Sequence, residues 1–207
     1  MINRPKLSIA RAVSIYEEMV ECRRLMYDDQ EFFKTSDVLE TLCDGEFSDG
    51  EDQFRIKTFQ TDTTEDFRLK VGVVAFENSV ILSMDERLLD NARKGSALCN
   101  FILAHEIGHL ALEHHDTNAK ILNFQLSRGP KGNSNLPPNA EELEANYAGV
   151  FFQCGVALTD DVWTANQLAK RAYSDRNYVE KAQKIVRLPE FQRILNRPKP
   201  QYQRVVL

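Results

Sequence analysis

Two histidines and a glutamate stand in the middle of an apolar stretch, residues 101–112. At about 100° per residue, His105 and His109 lie one turn apart on the same face of a helix, where both imidazoles can bind one ion. A polar group left unpaired in an apolar interior costs about 2–7 kcal/mol, so these side chains need a partner. A zinc ion meets that need, and Glu106 lies beside it to accept a proton from water. The pattern predicts a catalytic zinc site; the alternative is a chance match in a core helix.

A catalytic zinc site uses three protein ligands, so the sequence must supply one more. Residues 139–152 are predicted to form a helix with Asn139 as its N-cap. On a helical wheel Glu142 shares a polar strip with Asn146, whereas Glu144 points away from that strip. This favours Glu142 as the third ligand, with Asn146 supporting it one turn on. Glu144 is the alternative, because Asn139 and Glu142 also have the spacing of a capping box, which would occupy Glu142 at the helix start.

The elements that must position these side chains alternate between helical and strand patterns. Apolar positions between residues 9 and 27 recur at helical spacing, with Arg23 counted among them for its apolar stem. A short helix capped by Asp37 is expected to run through Leu42 and to end near Gly45. Strands are expected at residues 54–59, 67–76 and 80–84, with a turn at 78–79. Residues 85–94 are expected to be helical or turn-like, and the zinc helix begins near Ala97.

The strand at residues 80–84 lies nearest to the zinc helix in sequence. If it has a free edge, it can accept an extended substrate as an added strand. If it is an internal strand, it has only a structural role. His114 and His115 follow the zinc helix and are expected to lie on the surface, off the ligand face. Residues 127–139 are predicted to form a mobile loop.

The last third of the chain is predicted to be helical. We expect a helix capped by Thr159 and running toward residue 173, a break at 174–177, and a further helix through Val186. Residues 167–179 have a faint likeness to a helix-turn-helix, but a packing hairpin behind the site is the favoured interpretation.

Composition limits the class of protein. The net charge of −5 argues against a nucleic-acid partner, and four scattered cysteines without a Cys-x-x-Cys pair fit a reducing compartment. No apolar run approaches the ~20 residues that a membrane helix needs. We therefore expect a cytoplasmic protein with a protein or peptide substrate, no membrane partner, and Zn²⁺ as the cofactor.

Taken together, these elements predict an α+β fold: a zincin-like metalloprotease domain, mainly helical, with a small sheet before the His-Glu-x-x-His helix. We expect one domain over residues 1–207. Its parts are N-terminal helices in residues 1–50, a catalytic core in 51–158, a C-terminal helical region in 159–196 and a tail in 197–207.

The two motifs also resemble a known family. His105-Glu-Ile-Gly-His109, followed by Glu142-Leu-Glu-Ala-Asn-Tyr-Ala148, is similar to the paired signature of the ImmA/IrrE metallo-endopeptidases, whose second motif runs Glu-x-x-Ala-Asn-x-Phe-Ala. The resemblance covers residues 68–155. It implies a zincin-like fold, zinc bound by His105, His109 and Glu142, Glu106 as general base, and cleavage or inactivation of a DNA-binding repressor. The chain departs from the pattern at Tyr147 and in residues 152–157, where the usual Leu-Leu-Met-Pro is absent.

The rival to an enzyme is a zinc-stabilised binding module. Such a protein would sequester a repressor without cutting it, or would bind DNA through the helix-turn-helix-like region. Glu106 separates the two hypotheses, because a structural zinc site is closed by four protein ligands and needs no carboxylate inside the motif.

Overall fold

A computed structural model of the chain describes residues 6–43, 53–76, 79–112, 122–123 and 140–198. Within these residues the fold is mainly helical with one small sheet, which confirms the α+β prediction. The helices are α1 (Ile9–Arg24), α2 (Thr35–Cys43), α3 (Glu86–Arg93), α4 (Ala97–Ala111), α5 (Ala140–Cys154), α6 (Ala165–Arg171), α7 (Arg176–Val186) and α8 (Pro189–Leu195). The strands are β1 (Gln53–Phe59), β2 (Val71–Phe76), β3 (Ser79–Asp85) and β4 (Leu122–Asn123).

The sheet has the order β1-β3-β2-β4. β3 pairs in parallel with β1 and antiparallel with β2, so both of its edges carry hydrogen bonds. Of the two interpretations of residues 80–84, the internal strand is therefore correct, and the free edge that could accept a substrate strand is absent from β3. Leu82 and Met84 of β3 are fully buried against the helices.

The expected strand at residues 67–76 is correct only in its second part. Phe67–Leu69 forms a 3-10 turn, and β2 begins at Val71. The turn forms because the carboxylate of Asp66 accepts a hydrogen bond from the backbone N–H of Arg68 at 3.1 Å and so caps it. Local side-chain capping here outweighs the alternating pattern of the sequence.

Two predicted helix caps are wrong. Helix α2 begins at Thr35, so Asp37 lies in its first turn instead of capping it. Helix α6 begins at Ala165 and not after Thr159, because the Thr159 hydroxyl donates instead to the carbonyl of Val156 in a 3-10 turn at Gly155–Leu158. Thr164 is the cap of α6 and forms a reciprocal capping box with Gln167.

Helices α4 and α5 form the centre of the molecule. Every residue of α4 from Cys99 to His109 is buried, and α5 is largely buried from Ala145 to its end. Helix α1 packs on α5, and its Tyr16 meets the rings of Phe151 and Phe191 edge-on. The buried apolar residues form one continuous cluster.

Arg23 was expected to pack by its stem alone, but its whole side chain is buried. Its guanidinium donates to the carbonyls of Phe152 and Gln153 at the C-terminus of α5, and to the carbonyl of Glu31. Gly155 follows with φ of 52°, a left-handed conformation that favours glycine, and an added Cβ would lie 2.8 Å from the Arg23 side chain. The buried Arg23 guanidinium therefore pairs with the last carbonyl groups of α5 and stabilises the C-terminus of that helix.

The C-terminal helices pack on the rest of the chain. Helix α7 buries Val179, Ala182 and Val186 and contacts α5 and α1. The Tyr178 ring stacks on Phe101 of α4 at 4.7 Å. These contacts agree with the favoured interpretation of a packing hairpin.

No helix within the described ranges has the length and apolar content needed to cross a bilayer. Several sequence predictions fall outside those ranges: the turn at Asn78, the cap at Asn139, the positions of His114 and His115, the loop at 127–139 and the tail beyond residue 198.

Candidate metal centre

The site begins with an unusually close crossing of α4 and α5. A Cβ added at Gly108 would lie 2.8 Å from the Cβ of Ala148 and 3.0 Å from the carbonyl oxygen of Ala145. On the other helix, a Cβ added at Gly149 would lie 3.0 Å from the backbone nitrogen of His105. Real Cβ contacts are longer, so only glycine at both positions permits this spacing. The crossing brings the first turn of α5 beside the imidazoles of α4.

His105 and His109 project from α4 one turn apart, as predicted. Their Nε2 atoms are 3.0 Å apart, and their rings are nearly perpendicular, with an interplanar angle of 84°. Both side chains are buried. Two imidazole nitrogens therefore converge on one point in the interior.

Glu142 supplies the third group from the first turn of α5. One carboxylate oxygen lies 3.4 Å from Nε2 of His105, and the other lies 3.5 Å from Nε2 of His109. The three ligand atoms lie within 4.8 Å of one another. On a tetrahedral zinc ion with bonds of about 2.0–2.2 Å, neighbouring ligand atoms are about 3.3–3.5 Å apart. The three groups thus have nearly the spacing of one face of such a tetrahedron.

Glu144 lies elsewhere, as the helical wheel indicated. Its carboxylate accepts hydrogen bonds from Nε and Nη2 of Arg11 on α1, at 3.0 and 2.6 Å. The Glu142 carboxylate is directed to the histidines, whereas Asn139, the other half of the expected capping box, lies outside the described residues. The structure brings Glu142, and not Glu144, to the two imidazoles.

Asn146 stands one turn after Glu142, where the sequence placed a supporting group. Its Nδ2 donates to the backbone carbonyl of Glu142 at 2.6 Å. The Asn146 side chain also raises the pKa of His105 and so offsets part of the effect of burial. Asn146 therefore supports the helix turn that carries Glu142 without adding a charge to the site.

The electrostatics of the three groups suit a cation. Burial lowers the pKa of His105 to about 4, so this imidazole is neutral near pH 7 and its ring can offer a lone pair. Burial opposes ionisation of Glu142, but hydrogen bonds with His105 and His109 outweigh it and lower the Glu142 pKa to about 2. The set is therefore two imidazoles and one carboxylate anion.

Glu106 lies next to this set and is itself 1% exposed. Neither of its carboxylate oxygens has a hydrogen-bonding partner in the described part of the chain. Burial, with the nearby charge of Glu142, raises the Glu106 pKa well above its ordinary value. A buried carboxyl group without partners is costly unless it has a ligand or a role in proton transfer.

The donor set fits a transition metal. Imidazole nitrogen suits zinc, copper, iron and nickel, whereas magnesium and calcium prefer all-oxygen sites, and two histidines with one glutamate is a known set for catalytic zinc. His105, His109 and Glu142 could hold such an ion. Among the described residues, no histidine, cysteine or carboxylate joins this group as a fourth member.

Comparison of the chain with protein-family models, curated proteins and solved structures found no match. The site therefore rests on its own geometry. The sequence predicted each of the three residues that could hold the ion among the described residues, but it gave no signal for Arg11 beyond a basic residue in an amphipathic helix.

Proposed function

We propose that this protein is a zinc-dependent metallo-endopeptidase of the zincin type, similar to the ImmA/IrrE family. The proposal is carried by one observation: three metal-binding side chains converge beside a buried carboxyl group that has no partner among the described residues. A site with only three protein donors leaves a coordination position for water or substrate.

Each residue has a distinct role in this proposal. His105, His109 and Glu142 hold the ion, and Asn146 orients the backbone of Glu142. Bound zinc supplies Lewis acidity, which polarises a peptide carbonyl and makes water more acidic. Glu106 accepts the proton of the attacking water and then delivers it to the leaving amine. The position of Glu106 beside the metal-binding group supports the role, because neither of its carboxylate oxygens is engaged by another described residue.

The substrate that we propose is a protein or peptide in the cytoplasm, with a DNA-binding repressor as the first candidate. This choice follows from the resemblance of the two motifs to the ImmA/IrrE signature. The described contacts of α7 support a structural role for the C-terminal helices and give no separate reason to propose nucleic acid as a partner.

The rival proposal, a zinc-stabilised binding module without catalysis, differs in what it requires of Glu106. A closed structural site has four protein ligands and no use for an adjacent buried carboxyl group. The three-donor set in the described residues favours the enzyme.

The decisive experiment replaces Glu106 with Gln in the full-length protein. The parent protein and the Glu106→Gln variant are loaded with zinc and incubated with a candidate repressor and, separately, with a denatured protein such as casein. The fragments are identified by mass spectrometry. We expect the parent to produce fragments and Glu106→Gln to bind one zinc ion while cutting at least about 1,000-fold more slowly, as for other essential proton-transfer groups.

Glu141→Gln is the matched control, since Glu141 is on the first turn of α5 beside a ligand but outside the metal-binding group. Full cleavage by Glu106→Gln contradicts the peptidase proposal. Stoichiometric zinc with unchanged repressor binding and no cleavage in either protein favours the binding module.

A further inference from the structure

A second concave site lies away from the metal centre, and none of its lining residues belongs to that centre. It is a groove of about 690 Å³ between the loop after α1 and the segment that carries α6. Its walls contain three aromatic rings, from Phe32, Trp163 and Tyr173, and two cations, from Lys170 and Arg171. We refer to it as the aromatic groove. Its volume is in the range of pockets that bind small molecules.

The aromatic wall is already assembled. The rings of Phe32 and Trp163 meet edge-on, with centroids 5.9 Å apart. The guanidinium of Arg171 lies 5.5 Å from the centre of the Trp163 ring. The carbonyl of Trp163 accepts a hydrogen bond from Gln183 at 3.0 Å, which holds the tryptophan backbone against α7. A ligand would therefore meet a preformed surface.

Tyr173 is held at the groove in an unfavourable backbone conformation. Its φ is 50°, in the left-handed region that residues with a side chain rarely adopt. Its carbonyl accepts a hydrogen bond from the buried amide of Gln153, and the N–H of Ser174 donates to Ala169. Gly95 leaves room for the ring, because a Cβ there would lie 3.3 Å from Tyr173. The bond from Ser174 to Ala169 is that of a Schellman motif, so the left-handed residue ends α6 and the helix end holds the Tyr173 ring at the groove.

The charge at the groove is positive, although the chain carries a net charge of −5. Lys170 and Arg171 are exposed. Neither forms an ion pair with a carboxylate in the parts of the chain that the structure describes. Two neighbouring basic residues differ, because Lys184 of α7 pairs with Glu180 at 2.7 Å, and Arg187, which follows α7, pairs with Asp161 at 3.4 Å. The two cations of the groove are thus available to an anion.

We propose that the aromatic groove binds a small planar anion: an aromatic ring that carries a carboxylate or a phosphate. The ring packs against Trp163, Phe32 and Tyr173, as aromatic groups do in mixed apolar sites. The anionic group is bound by Lys170 and by Arg171, whose planar guanidinium can stack and form paired hydrogen bonds. This site is independent of the metal centre and of any peptidase activity.

Trp163 is the only tryptophan of the chain, so its fluorescence reports on the groove directly. The full-length protein is titrated with phenyl phosphate and with phenylacetate, which separate the two sources of negative charge. Benzyl alcohol supplies the ring without charge, and inorganic phosphate supplies charge without the ring. We expect saturable quenching by at least one aromatic anion, with a Kd at least about tenfold lower than for either control probe.

The variants Lys170→Ala and Arg171→Ala should each raise that Kd about five- to tenfold. Both side chains are exposed, so the unfolding midpoint should stay the same. Lys184→Ala is the matched control on α7 and should bind as the parent does, as should Glu106→Gln. Equal binding of benzyl alcohol, unchanged binding by both groove variants, or no saturable quenching by either anion overturns the proposal.

Discussion

Arg11 and Glu144 join α1 to the N-terminal part of α5 by two hydrogen bonds to one carboxylate oxygen, at 3.0 and 2.6 Å. Glu144 lies two residues after Glu142, so this ion pair holds the same turn that supplies the third metal-binding group. The strongest rival for the ligand role is therefore a residue that fixes its neighbour in place.

We predict that Arg11→Ala weakens zinc binding although it removes no ligand. A partly exposed ion pair is worth about 1 kcal/mol at most, so the zinc Kd should rise about three- to fivefold, measured by competition with a chelator. Arg24→Ala, which removes a similar pair with Asp29, is the control and should leave the zinc Kd unchanged. Equal effects of the two variants would show that the Arg11 pair is not specific to the site.

The ligand set predicts a pattern of metal content. His105→Ala and His109→Ala should each lose zinc, because the remaining two donors bind it weakly. Glu142→Ala should reduce zinc strongly, whereas Glu144→Ala should retain it near stoichiometry. Elemental analysis of the purified variants tests this pattern. Reversal of the two glutamates would make Glu144 the ligand, and stoichiometric zinc in all four variants would place the metal elsewhere.

The close crossing of α4 and α5 predicts that replacing Gly108 with alanine destabilises the protein, although such a change usually stabilises a helix. In an exposed helix, Gly→Ala stabilises by about 1 kcal/mol. Gly108→Ala should instead lower the free energy of unfolding by about 1–3 kcal/mol, since its new methyl group meets Ala148 at 2.8 Å. Urea unfolding measures this change, and the zinc Kd should rise with it.

The compensating variant is Gly108→Ala combined with Ala148→Gly, which removes the methyl group that the new side chain would strike. It should regain part of the stability and most of the zinc affinity. If Gly108→Ala alone stabilises the protein, the two helices are not as close as described.

Asp85 predicts how stability depends on pH. Its buried carboxylate caps α3 and accepts hydrogen bonds from Arg87 and from Thr61, and these hold its pKa well below the ordinary value. A lowered pKa stabilises the folded state above the unfolded pKa of about 3.9, and this contribution is lost as the pH falls below it. At pH 7, Asp85→Asn should cost about 1.5–3 kcal/mol, because a charged hydrogen-bond acceptor is lost while the cap is kept.

The difference in unfolding free energy between the parent and Asp85→Asn should shrink as the pH is lowered from 5 toward 3. Asp29→Asn, which disrupts a more exposed pair with Arg24, is the control and should change stability little at any pH. A constant difference for Asp85→Asn across this range would refute the assignment of its stabilising role to the ionised form.

The sequence was sufficient to predict the helices that build the site. His105, His109 and Glu142 obey the 3.6-residue period, so their faces follow from spacing alone. The helical wheel also favoured Glu142 over Glu144. The Glu144 carboxylate points to another side of the helix, where it accepts hydrogen bonds from Arg11.

Other features depend on contacts between distant parts of the chain and could not be predicted in this way. β3 is internal because β1 pairs with it, and the sequence of residues 80–84 does not indicate which strand pairs with it. Complete burial of Arg23 depends on the carbonyls of Phe152 and Gln153, over a hundred residues away. Helix starts failed where two capping residues competed, as Thr159 and Thr164 did.

The burial of α4 has a consequence for synthesis of the chain. His105 and His109 are synthesised before Glu142. The apolar helix α4 that carries them is therefore made before α5, the helix that it packs against most. Arg23 is synthesised more than a hundred residues before Phe152 and Gln153, whose carbonyls it binds. Contacts of such long sequence separation slow folding, and the exposed helix is a target for aggregation meanwhile. Residues 97–111 are therefore made before their main packing partner, and their apolar surface stays uncovered until α5 is available.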